Sequence, residues 1–193
     1  MPANTKAVEG SKNNVRELVT IALLAAVLCI LAPLSIPIGP VPISLTNLVL
    51  YFFVFIVGTR RTSIAFIIYM LLGMVGLPVF SGFSGGLGKL VGPTGGYIIG
   101  FLPMVIVMGL FLEKHRKVSV KNIILNSIVM EVCTWIPYLL GTAWLAYSAK
   151  MTFTAALAVG VLPFIVEDLI KMVLAAIVAP GIHGQLLKGH LVD

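Results

Sequence analysis

Charge is scarce in this chain. Asp, Glu, Lys and Arg make up 10% of its 193 residues, against about 25% in soluble domains. So few charges cannot cover a water-facing surface. The 59% hydrophobic content and mean hydropathy of +1.09 point the same way, to an integral membrane protein. Cysteine is scarcer still: Cys29 and Cys133 lie in apolar runs without metal-ligand spacing, and read as buried free thiols. There is no Ser/His/Asp or Cys/His set to indicate a hydrolase or an intramembrane protease. No repeat of roughly 20–50 residues is visible, which withholds support from inverted-repeat carriers. The opening "MPANTKAVEGSKNNVRE" is polar, and no small-residue cleavage site follows the first apolar run, so that run reads as a retained helix. No soluble domain is evident, and the whole of 1–193 reads as one membrane domain behind a polar segment, 1–16.

What the chain does have is apolar length. Hydrophobic segments fall at about 17–34, 45–58, 62–77, 96–112, 122–148 and 155–180, and a spanning helix takes roughly 20 residues. Six transmembrane helices are expected, in an all-α bundle. The second and third are short and are separated by "GTRRTS", with Arg60 and Arg61. Pro137 is expected to kink the fifth. The formal charge of +6 does not indicate nucleic acid, because the basic residues cluster between apolar runs. Lys6, Lys12, Arg16, Arg60, Arg61, Lys114, Arg116, Lys117, Lys121 and Lys188 fall on one side of the six segments, and Lys89 and Lys150 on the other. That bias places both termini in the cytoplasm. His115, His183 and His190 then lie in cytoplasmic segments and are expected to be solvated.

Three ionisable residues break the last apolar run. "PFIVEDLIK" (163–171) places Lys171 at i,i+4 from Glu167 and i,i+3 from Asp168, between the two carboxylates on a helix. A charge at mid-bilayer costs on the order of 2.5–3.5 kcal/mol, so such groups face protein or water and mark binding or transport sites. An internal salt bridge that only neutralises itself is the structural alternative. Lys171 suits an anionic group of a ligand, and Asp168 suits N–H donors. If Pro163 begins the helix, these charges lie one to two turns from its outer end.

The stretch "SGFSGGLGKLVGPTGGY" (81–97) is glycine-rich, so its main chain can approach a ligand closely. It is not a P-loop: Gly88-Lys89 is followed by Leu90, and Gly82 stands at the wrong spacing. Leu77, Val79, Phe80, Phe83, Leu87 and Leu90 make 77–96 too apolar for a solvated connector, and an extracytoplasmic lid over a pocket is expected. Glu131 is a further intramembrane acid, on one face with Trp135 and Tyr138. Asn47 could bond across helices or contact ligand. Ala22 and Ala26 have the small-xxx-small spacing that lets another helix approach.

With these residues assembled, the chain resembles the BioY family, the biotin-specific S components of energy-coupling factor (ECF) transporters. The resemblance spans about 17–180 and is carried by "YMLLGMVGLPVFSGFSGGLGKLVGPTGGYIIGF" (69–101), "GPVPISL" (39–45) and "PFIVEDLIK". Glu167 stands where the family usually has Gly, and Thr46 where it often has Gln. The resemblance implies a six-helix S-component bundle in the cell membrane. It would capture biotin outside and dock on a transmembrane coupling subunit with two ATPases. The chain itself would be no enzyme and hold no cofactor, ATP being used by its partners. Ala22 and Ala26 match the family's docking pattern on the first helix. Biotin's carboxylate would suit Lys171 and its ureido N–H groups Asp168, with Tyr97 and Phe80 against its apolar parts. Ser84, Gly85, Gly86, Thr94, Asn47 and Glu131 complete the expected substrate-binding set. A proton-coupled secondary transporter, an S component for another small anionic vitamin and a structural membrane subunit are the other classes.

Overall fold

The computed structural model describes residues 3–114 and 120–189, with side chains from residue 14 onward and not at 120. His115, Arg116, Lys117 and His190, and the side chains of Lys6 and Lys12, lie outside the described residues. The described residues are all-α apart from one small hairpin and an isolated β-bridge. In order they form α1 (Ala3–Leu31), β1 (Ser35–Ile36), β2 (Ile43–Ser44), α2 (Thr46–Val57), α3 (Thr59–Met74), α4 (Leu87–Val91), α5 (Gly95–Leu112), α6 (Val120–Ser148), α7 (Phe153–Gly160) and α8 (Leu162–Lys188). Among the described residues, three stretches are long and apolar enough to cross a membrane: Asn14–Leu31, Gly95–Leu112 and Lys121–Ser148.

The expected segments reappear as helices with informative breaks. α2 and α3 are separated by Gly58 alone, whose φ of 90° is open to glycine and strained for other residues. α6 runs unbroken through Pro137. The last expected segment is two helices, not one. Val161 leaves helical geometry at φ −131° and ψ −53°, and α8 starts just ahead of Pro163. Proline is favoured in a first turn because its missing N–H has no intrahelical partner there. Glu167 and Asp168 consequently sit in the second turn of α8. The "SIPIGPVPIS" connection forms the antiparallel pair β1–β2, with Ser35 opposite Ser44.

Glycines bring α5 and α6 together. A Cβ on Gly96 would lie 2.4 Å from the Trp144 Cβ, and one on Gly100 would lie 2.6 Å from the Pro137 Cα. In lipid, where helices gain little from excluding water, such close contact supplies the dispersion energy of association. The Trp144 indole N–H adds a bond to the Gly92 carbonyl at 2.9 Å. A large apolar core joins α1, α2, α3, α5, α6 and α8. A smaller one gathers Val41, Tyr97, Tyr138, Leu145, Ala156, Val161 and Phe164.

The 77–96 segment is more ordered than a plain loop. Phe80 and Ser84 pair as a β-bridge, and α4 follows. Phe80 is fully buried, edge-on to Tyr69 at 5.5 Å, while Phe83 and Leu87 stay exposed. His183 corrects an expectation: it is buried, and its Nδ1 is 2.8 Å from the Ile56 carbonyl. α8 extends to Lys188 and packs along α2, which turns His183 inward while Ile182 and Gln185 on either side stay exposed.

Candidate functional site

A cavity opens between the β1–β2 hairpin, α2, α5, α6 and the start of α8. Including its open mouth, it encloses about 690 Å³ of space. Much of the wall is apolar or aromatic: Val41, Pro42, Ile98, Phe101, Pro137 and Phe164, with Tyr69, Tyr97 and Tyr138. One pole is polar and belongs to α8 and α2.

That pole is a closed network. Asp168 is 3% exposed and accepts from the Asn47 side-chain amide and, at 2.5 Å, from the Tyr138 hydroxyl. The Lys171 ammonium reaches the Glu167 carboxylate at 2.6 Å, the Ser44 carbonyl at 2.7 Å, Asn47 Oδ1 at 2.9 Å and Asp168 Oδ1 at 3.4 Å. Asn47 is therefore oriented by both charges, giving N–H to the acid and oxygen to the base. Charge-assisted bonds of this kind are roughly twice as strong as neutral ones. Behind the pole, the buried Tyr51 hydroxyl donates to Thr134 at 2.7 Å, and Thr134 donates to the Met130 carbonyl at 2.8 Å. The result is a fixed array of donors and acceptors in a water-poor wall.

Tyr97 is positioned by absences on its neighbours. A Cβ on Gly141 would lie 2.3 Å from its ring, and one on Gly160 would lie 2.1 Å from its hydroxyl. Those two glycines make the slot that turns its ring against the cavity, with Thr142 Oγ1 3.4 Å from the hydroxyl.

Of the expected binding residues, Asp168, Lys171, Asn47, Thr94 and Tyr97 line the cavity. Phe80, Ser84, Gly85, Gly86 and Glu131 are not part of its lining. Phe80 instead backs Tyr69, and a Cβ on Gly85 would meet the Leu77 carbonyl at 2.2 Å. Gly86 holds a φ of 88° and bonds through its N–H to the Gly73 carbonyl at 2.7 Å. The glycines of this loop thus fold it upon itself, and the loop reaches the cavity through Ser81 and Thr94. Half-burial lowers the Lys89 pKa from its ordinary value, and Lys89 too lies outside the lining. Glu131 lies half-buried on α6, beside the exposed Trp135.

Sequence reasoning missed Ser44, Thr46, Tyr69, Thr134 and Phe164 as cavity residues, and placed Tyr138 on a face with Glu131 and Trp135 without naming it a partner of Asp168. Ser44 contributes a backbone carbonyl, which no side-chain pattern advertises. Tyr138 was traceable: it follows Glu131 by seven residues on a helix face already marked as polar. Ala22 and Ala26 are exposed on α1, beside the buried Ile21 and Ala25.

The chain is similar to known proteins in sequence and in fold. The family model described as "BioY family" matches residues 4–188. The biotin transporter BioY of Thermotoga maritima is 38% identical over 164 residues, covering 85% of this chain and 94% of its own. Biotin transporter BioY2 of Lactococcus lactis subsp. cremoris is 36% identical over 164 residues, covering 83% and 86%. Among solved structures, the S-component for biotin from an ECF-type ABC transporter superposes with a TM-score of 0.79 at 29% identity, covering 95% of each chain. The sequence match over nearly the whole length and the shared bundle lead to one conclusion: this chain is a member of the BioY family.

Proposed function

We propose that this protein is the biotin-binding S component of an ECF-type uptake transporter in the cell membrane. Six spans, with both termini on the cytoplasmic side, suit the basic clusters. Biotin enters from outside, and the loaded chain is served by a transmembrane coupling subunit and two ATPases. The exposed Ala22 and Ala26 give that coupling subunit a small-residue face on α1.

The observation that carries this reading is the pole of Asp168, Asn47 and Lys171 at one end of an otherwise apolar cavity. It also revises the expected division of labour. Lys171 Nζ and Asp168 Oδ1 are 3.4 Å apart, whereas the carboxylate and ureido group stand at opposite ends of an extended biotin. One pole cannot serve both. We assign it to the cyclic urea, whose two N–H groups and one carbonyl complement a set containing both acceptors and donors. The bicycle then meets Tyr97, Tyr69 and Phe164, and the valeryl chain runs toward the mouth.

Equilibrium binding of radiolabelled biotin to the detergent-solubilised protein, beside Asp168→Asn and Lys171→Ala, tests the reading. Tight binding competed by biotin and not by other vitamins, and weakened in both variants, is expected. Absence of binding to the unaltered protein removes the biotin assignment.

A further inference from the structure

The pole holds one carboxylate more than the recognition of a urea requires. Lys171 has three N–H bonds to donate, and its acceptors are the Ser44 carbonyl, the Asn47 amide oxygen and Glu167, with Asp168 somewhat farther. The first two acceptors belong to the hairpin end and the start of α2, and are held by the backbone frame. Glu167 is different. Its carboxylate sits on the cavity wall, its side chain is 23% exposed, and it reaches Lys171 along its own helix at i,i+4. A rotation about its side-chain bonds can release the ammonium without moving any helix. Two acids also face a single base here, so the pole has a formal excess of one negative charge.

We propose that Glu167 is a competitor built into the cavity wall: it occupies the Lys171 ammonium when the site is empty, must yield it to a ligand carbonyl, and so sets both the affinity and the preferred head-group charge of the site. The proposal rests on the biotin reading above. A neutral urea must displace Glu167 for its carbonyl to accept a hydrogen bond from Lys171, which weakens binding and speeds release. A cationic head would leave the Glu167–Lys171 pair intact and gain from the excess negative charge. Glu167 is thus a specificity residue acting on the ligand through Lys171 and through the local field.

The test is a comparison of two ligands in detergent, biotin and 2-iminobiotin, whose cyclic guanidine is protonated at neutral pH. They are measured on the unaltered protein, Glu167→Gln and Glu167→Ala, by equilibrium binding and by dissociation rate. In both variants biotin should bind about tenfold more tightly and leave more slowly, while 2-iminobiotin should bind less tightly. Opposite shifts are the signature, because a merely structural residue would move both ligands together. Equal shifts, or no change in either variant, overturn the proposal while leaving the biotin reading in place. Failure of the unaltered protein to bind biotin overturns both.

Discussion

Replacing Gly160 with Ala adds one methyl group at the point where α7 ends and the cavity begins. The new Cβ would lie 2.1 Å from the Tyr97 hydroxyl and 3.1 Å from the Leu145 Cδ2. Tyr97 cannot retreat, because its ring already presses on Gly141, where a Cβ would lie 2.3 Å away. The hydroxyl therefore moves into the cavity and leaves Thr142. Overpacking of this kind costs about 1–3 kcal/mol, offset by up to about 1 kcal/mol of helix propensity. A net destabilisation near 1 kcal/mol is expected, together with roughly a tenfold loss of biotin affinity as the ring encroaches on the ligand's volume. Gly181→Ala is the matched control: it too is helical, and nothing lies within 4 Å of its Cβ. Thermal unfolding in detergent and isothermal titration with biotin give both quantities. Equal affinity for biotin in the two variants would refute the slot described for Tyr97.

Two further substitutions probe the pole and the scaffold separately. Tyr138→Phe removes the 2.5 Å bond to Asp168 and should lower stability by about 1.5–3 kcal/mol, the range for bonds to charged groups, and weaken biotin binding as Asp168 loses its fixed orientation. Affinity unchanged on titration would mean that Tyr138 does not hold Asp168 in place. Gly100→Leu drives a large side chain into the Pro137 backbone, 2.6 Å from the added Cβ. It should separate α5 from α6 and abolish monodisperse elution on gel filtration, and normal elution would show that the helix pair does not need this contact.

How far the sequence could be read depended on what carries each feature. Helices were legible from apolar length, but Arg60 and Arg61 do not mark the break before α3: they lie in its first turn, and Gly58 alone separates it from α2. The break at Val161 was only half legible: Pro163 signals a helix start, yet the apolar run continues across it and masks the end of α7. Asp168 and Lys171 stood out because ionisable groups are costly in lipid, and both line the cavity. The glycine-rich loop was over-read. Glycine reports that backbone comes close to something, and for Gly85 that something is Leu77 rather than the cavity. The hairpin contribution was invisible for the same reason that Ser44 was: a carbonyl oxygen is present at every residue, and only the fold decides which one meets an ammonium.

The Lys171 network also governs when a newly made chain becomes competent. The bonds that close the pole join residues 121 to 127 positions apart, from Ser44 and Asn47 to Asp168 and Lys171. Contacts so distant in sequence form only after the intervening chain exists, and closing them carries the loop entropy of everything between. Until α8 is synthesised and inserted, Asn47 sits in α2 without either charged partner. A chain halted after α6 has most of the scaffold and lacks both charged groups, Asp168 and Lys171, around which the pole is built. Competence arrives in a single late step, with the last helix.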